Sequence, residues 1–252
     1  MNDIGRASRI LRDARRIVVT TGAGMSQESG VPTFRDAPNA LWANYDPEEL
    51  ATRDGFARNP GLVWRWYAER RAMIARTRPH AGHAAIARMP PLFDEFLLLT
   101  QNIDNLHSAA GSRDVVELHG NIFRFKCFAR GHPAAGVGDD PGDDPPRCAC
   151  GSFLRPDVVW FGELLDPAHL ERAFAALAAC DAVLVVGTSG LVYPAAGFPA
   201  LAREAGARVI EVNPEPSAAS GVADVFVRSG AKEALPALVA ALERERGGAQ
   251  TD

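Results

Sequence analysis

Six short apolar runs, separated by helical or irregular chain, set the limits on what this sequence can fold into. They are Ile17–Thr20, Phe96–Thr100, Val115–Leu118, Ala182–Val186, Arg208–Val212 and Asp224–Ser229. Runs this short, bounded by turn residues, read as buried strands. Helical pattern opens the chain, with Ile4, Ala7, Ile10, Leu11 and Ala14 on one face, and returns at 80–89, 167–179, 197–205 and 231–246. Single strands alternating with helices indicate a parallel sheet, hence an α/β, Rossmann-like doubly wound fold. Two stretches break the alternation: 36–79, loop and helix with Trp64, Trp66 and Tyr67, and 121–155, rich in Gly, Pro and Asp around cysteines. They read as insertions, one helical and one zinc-ribbon-like, forming a smaller domain over a sheet domain made of 1–35, 80–120 and 156–252.

The first strand carries the next constraint. It ends in Thr-Gly-Ala-Gly, with Gly22 and Gly24 placed for a tight turn and a close approach of backbone N–H groups to a pyrophosphate. The third glycine of a dinucleotide fingerprint is missing, since Gln27 stands in its place. No acidic residue closes a second strand about 20 residues on, which argues against an ordinary dehydrogenase. The chain continues Ser-Gly-Val-Pro-Thr-Phe-Arg-Asp, too rich in breakers for a long crossover helix.

Other strand ends carry similar chemistry. TQNIDNLH (100–107) places Gln101, Asn102 and Asp104 at a carboxyl end, where open α/β sheets bind ligands. Amide and carboxylate there suit a carboxamide and ribose hydroxyls. His119 follows another strand in ELHG; Gly187, Thr188 and Ser189 end a third; Asn213, Pro214 and Glu215 end a fourth. The net charge of −4 gives no general attraction to nucleic acid or acidic membranes. No N-terminal apolar leader and no apolar run of 18 residues is present, so a cytoplasmic protein is expected; a monomer is the expected state. Cys127, Cys148 and Cys150 bracket the second insertion and resemble a zinc ribbon short of one ligand. Arg130 stands where the fourth cysteine belongs, and His132 is the candidate substitute. Cys180, between a helix and a strand, reads as a core thiol.

Taken together the motifs resemble the sirtuins, NAD-dependent protein-lysine deacylases. The resemblance rests on GAGMSQESGVPTFRD (22–36), TQNIDNLH (100–107), LHG (118–120), RPDVVWFGE (155–163), GTSGLVYPAA (187–196) and EVNPEP (211–216), in family order across nearly the whole chain. It implies that the sheet domain binds NAD as a consumed co-substrate and that zinc, where bound, is structural. The segment after Gly24 becomes a cofactor loop in which Phe34 shields the nicotinamide pocket and Arg35 approaches phosphate. The implied cofactor contacts are Gly22, Ala23, Gly24, Ser26, Gln101, Asn102, Ile103, Asp104, Gly187, Thr188, Ser189, Asn213, Pro214, Glu215 and Ala231. Asn102 and Asp104 would hold the nicotinamide end, and His119 would be the general base. An acylated lysine of a protein would lie extended between a loop carrying Val159, Trp160, Phe161, Gly162 and Glu163 and a loop carrying Val192 and Tyr193.

The resemblance also narrows the acyl group. Tyr67 and Arg70 form a Tyr-x-x-Arg pair on one helical face, and Ala51 matches a small residue that widens the acyl pocket. This is the pattern of the class III branch, which removes succinyl and malonyl groups, with Arg offering a planar fork to the distal carboxylate. Plain deacetylation or ADP-ribosyl transfer on the same scaffold, or a non-catalytic NAD sensor, are the competing expectations.

Overall fold

The computed structural model describes residues 2–32, 47–134, 137, 142 and 144–247. Strands β1 (Arg16–Thr21), β2 (Glu95–Thr100), β3 (Val115–Glu117), β7 (Ala182–Val186), β8 (Arg208–Asn213) and β9 (Val225–Arg228) form a parallel sheet in the order β3-β2-β1-β7-β8-β9. Three further strands, β4 (Gly120–Cys127), β5 (Pro133–Ala134) and β6 (Leu154–Val158), make a small antiparallel sheet in the order β5-β4-β6. The fold is the expected α/β, Rossmann-like sheet with a smaller layer over it.

The large sheet is buried on both faces, which is why its strands read as near-continuous apolar runs. Side chains still alternate between two cores. Ile17, Val19, Leu184, Val186, Ile210 and Val212 meet α1 (Asp3–Asp13), α6 (Ala81–Ala87) and α10 (Ala231–Gly247). Val18, Leu97, Leu99, Val183, Val185 and Val209 meet α8 (Pro167–Ala179) and α9 (Phe198–Glu204). A third core, with Leu50, Phe56, Val63, Trp66, Tyr67, Ile122, Val158 and Trp160, joins α3 (Pro47–Leu50), α4 (Arg53–Arg58) and α5 (Pro60–Ala75) to the small sheet.

Local chemistry accounts for the boundaries. Asn59 caps α5 by accepting from the Leu62 N–H at 3.1 Å, and Pro60 supplies the first helical φ. Asp166 and Pro167 do the same for α8. The helical pattern at 80–89 shortens to α6 because Pro90 opens a separate 3₁₀ turn. After β1 the helix α2 runs only from Gly24 to Gln27, as the breakers beyond it require. The short α7 (Leu106–Ala109) follows the β2 loop.

Between β1 and β7 the strand order reverses, which opens the crevice where doubly wound sheets take ligands. The turns after these strands touch. The Gly22 N–H donates to the Val186 carbonyl at 3.0 Å, and the Gly24 N–H to the Gly187 carbonyl at 2.8 Å. A Cβ on Gly22 or Gly24 would sit 2.9 Å from Gly187 atoms, and one on Gly187 only 2.3 Å from the Met25 nitrogen. Gly187 also has φ +58°, a left-handed conformation.

Gly187→Ala meets both the strain and the clash. We expect it to cost about 2–4 kcal/mol in urea denaturation. Gly206→Ala, at φ +97° with nothing within 4 Å of its Cβ, meets strain alone and should cost about 1–2 kcal/mol. Equal losses would mean that the contact between the two turns does not constrain the fold.

Candidate functional site

The carboxyl ends of β1, β2, β7 and β8 and the β3–β4 turn converge above the crevice. Hydroxyls and amides tie them together. The Thr21 hydroxyl bonds the Thr100 hydroxyl at 2.8 Å, which also accepts from the Asn102 N–H at 3.1 Å. The Asn102 side-chain amide donates to the Gly22 carbonyl and to the Ser26 hydroxyl, both at 3.0 Å. Asn102, Asp104 and Ser26 are all buried. Asp104 accepts from the Leu106 N–H at 2.9 Å, and burial pushes its carboxyl above the ordinary range despite that bond and the Ser26 hydroxyl. Ile103 offers its carbonyl to Ile122 at 2.9 Å and so joins this loop to β4.

The other rim is built similarly. Gln101 reaches the Thr188 hydroxyl at 3.3 Å, and Asn213 donates to the Thr188 carbonyl at 3.0 Å. The Ser189 carbonyl accepts from Ala218 at 3.3 Å. Ala23, Pro214 and Glu215 are exposed, with Glu215 3.7 Å from Arg228. Ala231 opens α10 and packs on Gly82, whose Cβ would meet the Ala231 carbonyl at 2.5 Å. Phe34 and Arg35 lie outside the described residues.

His119 sits between β3 and β4, half-buried. Its Nδ1 is 2.9 Å from the Gln101 carbonyl. A carbonyl only accepts, so Nδ1 carries the proton and Nε2 keeps its lone pair. Burial holds the imidazole below the ordinary histidine range, more than the Gln101 bond raises it. Near pH 7 the ring is therefore neutral, with one basic nitrogen, as a general base requires.

Of the residues expected at the acyl group, Ala51 and Tyr67 share the third core. Tyr67 and Arg70, one turn apart on α5, are both buried. The Tyr67 oxygen accepts from Trp160 Nε1 at 2.9 Å, and burial pushes the phenol up to about 12. The Ala51 carbonyl accepts from Phe161 N–H at 2.9 Å. The Arg70 guanidinium lies 5.4 Å from the Trp66 ring centroid, with its pKa lowered by burial against the favourable charges of Tyr67 and Asp104. Val159 N–H bonds the His119 carbonyl at 2.9 Å, and Gly162 turns the loop at φ +83°. Phe161 and Leu164 on one loop, and Leu191, Val192 and Tyr193 on another, are exposed apolar side chains. Leu164 and Leu191 were not singled out from sequence, where only exposure could have marked them. Arg155 was missed too: it is fully buried and paired with Glu163 at 2.7 Å.

His132 joins two of the three clustered cysteines. Ligand atoms of Cys127, His132 and Cys148 all lie within 4.8 Å of one another. Cys150 Sγ is 3.5 Å from Cys127 Sγ, and Cys148 Sγ 3.5 Å from His132 Nε2. Two thiols and an imidazole this close could hold a zinc ion, with the Cys150 thiol beside Cys127. A separate cavity of about 450 Å³ lies beside Asp13 and Asp181 near the amino ends of the strands. Its Arg6, Arg12 and Arg208 already engage Asp3, Asp13 and Asp224.

The Sir2 family pattern matches residues 22–194, more than half of the chain. The protein belongs to the Sir2 family. An NAD-dependent protein deacylase 2 of Pyrobaculum aerophilum is 53% identical over 237 residues, covering 93% of this chain and 94% of that one. An NAD-dependent protein deacylase of Ralstonia nicotianae is 51% identical, covering 90% and 92%. A Sir2 homologue solved with NAD superposes with a TM-score of 0.89 at 38% identity, over 95% of this chain and 94% of that one. A Sir2 protein bound to a myristoylated histone peptide gives 0.78 at 37%, over 98% of each. The residues of this Sir2 chain fit a dinucleotide: glycine turns without side chains at the switch point, a buried amide and carboxyl on one side, and hydroxyl and amide groups on the other. Among the described residues no helix is long and apolar enough to cross a membrane.

Beneath the site of this Sir2 chain lie three buried histidines. His80 and His83 rings are 4.3 Å apart, His83 and His107 5.0 Å apart, and His107 Nε2 meets the Thr21 hydroxyl at 3.0 Å. Burial, with the neighbouring histidines, lowers His83 to about 2 and His107 to about 4. The unfolded chain takes up protons on these groups near pH 6.5, while the native state does not. Their contribution is therefore fully present above about pH 6.5 and lost as pH falls, until about 4 for His107 and further for His83. Asp104, raised by burial, acts in the opposite sense but is a single group. Urea denaturation should show stability falling by roughly 1.4 kcal/mol per pH unit for each histidine between about pH 6 and 4.5. His107→Gln should flatten that slope; an unchanged slope would remove His107 from it.

Proposed function

We propose that the chain is an NAD-dependent protein-lysine deacylase of the class III kind, taking succinyl and malonyl groups in preference to acetyl. The observation that carries the catalytic part is the His119–Gln101 bond, which leaves Nε2 basic beside the crevice. The names of its relatives and the NAD and acyl-peptide complexes of its structural neighbours support this reading.

NAD would lie across the switch point on Gly22, Ala23, Gly24, Ser26, Gln101, Ile103, Gly187, Thr188, Ser189, Asn213, Pro214, Glu215 and Ala231. When bound, it supplies an electrophilic ribose carbon with nicotinamide as the leaving group. Asn102 and Asp104 orient the nicotinamide end. His119 Nε2 takes a proton from a ribose hydroxyl. The loops Val159–Glu163, with Phe161 exposed and Trp160 buried behind it, and Val192–Tyr193 hold the peptide of an acylated lysine, backbone against backbone. Cys127, His132, Cys148 and Cys150 would hold structural zinc in the 121–155 insertion, remote from the chemistry, with 36–79 as the second insertion on the sheet domain.

The acyl preference rests on Arg70. A succinyl group ends in a carboxylate that an acetyl group lacks, and a charge-assisted pair is worth about 1.5–3 kcal/mol. That is roughly 10- to 150-fold in selectivity. Succinyl-, acetyl- and myristoyl-lysine versions of one peptide, at equal amounts, separate the acyl classes. Arg70→Met should cost the succinyl-peptide that factor, mainly as raised KM, and change acetyl-peptide little. Equal losses on both would make Arg70 structural. His119→Ala should lower turnover on every peptide by roughly 10²-fold or more with the fold retained; near-wild-type turnover would remove His119 from the mechanism.

A further inference from the structure

We propose that Arg155 and Glu163 form a buried clasp that positions Trp160 and, through it, the Tyr67 hydroxyl, so that acyl selectivity is set partly from the strand of the cysteine-bearing sheet. The inference rests on the acyl pocket proposed above.

Arg155 lies on β6 with its side chain wholly buried. Its two terminal nitrogens reach the two Glu163 oxygens at 2.7 and 2.8 Å, a bidentate fork. The same guanidinium donates to the Val158 and Pro156 carbonyls. Its plane lies over the Trp160 indole, 3.4 Å from the ring centroid. Glu163 in turn accepts from the Trp160 N–H at 2.9 Å and from Arg53 at 3.3 Å. Trp160 is thus held at its backbone by Glu163 and at its face by Arg155. Phe56 packs against it with ring centroids 5.4 Å apart.

A buried ion pair is weak evidence for stability, because desolvation of both charges offsets their attraction. What the pair adds here is direction. Burial disfavours the charged form of Glu163, yet the Arg155 bonds and charge, the Trp160 N–H and the Lys126 charge together outweigh it and the carboxyl stays below its ordinary range. The fork is therefore ionised at neutral pH and fixed in orientation.

The direction matters one bond further on. Trp160 Nε1 can only donate, so the Tyr67 oxygen accepts at 2.9 Å. A phenol has one proton, and that proton is then turned away from Trp160. On the face of α5 that carries Arg70, the group it suits is an acceptor such as a distal carboxylate. Moving Trp160 moves the point at which Tyr67 offers its proton. Arg155 and Glu163 are positioning residues in this scheme.

The test measures kcat and KM for succinyl- and acetyl-peptides, KM for NAD, and Tm, in Glu163→Gln, Trp160→Phe and Tyr67→Phe. Glu163→Gln keeps the shape and removes the charge. It should lower succinyl-over-acetyl selectivity roughly three- to tenfold, about the worth of one misplaced hydrogen bond, with NAD KM little changed. Trp160→Phe keeps a ring but no N–H, and should lower selectivity to a similar degree without touching the fork. In a Tyr67→Phe background neither change should alter selectivity further. Loss of both peptides in equal proportion, or a selectivity change that persists without the Tyr67 hydroxyl, would overturn the clasp. If Glu163→Gln fails to fold, Trp160→Phe alone decides. Wild-type preference is read first. A preference for acetyl sinks the acidic-acyl reading, and the clasp is then judged by the ratio between the preferred and disfavoured acyl groups.

Discussion

Two turns of bare backbone meet at the point where the strand order reverses. Gly22 and Gly24 after β1 meet Gly187 after β7, and a Cβ on any of the three would fall within 2.9 Å of the other turn. This contact joins the two turns at that reversal, and the N–H groups of Gly22, Gly24 and Gly187 are taken by the Val186, Gly187 and Val212 carbonyls. It also explains why Gln27 can replace the third glycine of a dinucleotide fingerprint. That glycine serves the packing of a crossover helix against its strand. Here α2 ends at Gln27, so no long helix needs the room.

From this junction the polar bonds spread outward in a definite order. Asn102 fastens the β2 loop to Gly22 and Ser26. Gln101, in the same loop, offers its carbonyl to His119 and its amide to Thr188. The tautomer of His119 is therefore fixed by a backbone atom that the junction itself holds in place. The histidine, the amide and carboxyl of Asn102 and Asp104, and the opposite rim cannot shift independently. Preorganisation of that kind is what lets a base act on a bound hydroxyl without reorganisation at the moment of reaction.

Much of this is legible in the sequence. Strand ends carrying Gly, His, Asn or Asp point to one edge of a parallel sheet, because ligands meet doubly wound sheets there. Short runs such as Ala182–Val186 were read with their observed limits. What stayed hidden depends on direction in space. Arg155 looks like one more arginine in an arginine-rich chain, and only burial against Trp160 reveals it. Glu163, expected beside a peptide, turns its carboxylate inward to Arg155 and the Trp160 N–H. His132, the candidate substitute by spacing, is brought within 3.5 Å of the Cys148 thiol only by the fold. The histidine cluster is hidden in the sequence because His107 is distant from the neighbouring His80 and His83 and joins them only through α6 and α7.

The central claim is that the crevice at this junction consumes NAD in step with removal of an acyl group from lysine. The most direct measurement counts nicotinamide released against lysine freed from an acylated peptide, with the acyl-bearing product identified by mass spectrometry. The account predicts one nicotinamide per lysine and the acyl group recovered on ADP-ribose. Lysine freed without nicotinamide, or reduced nicotinamide formed instead, would contradict it.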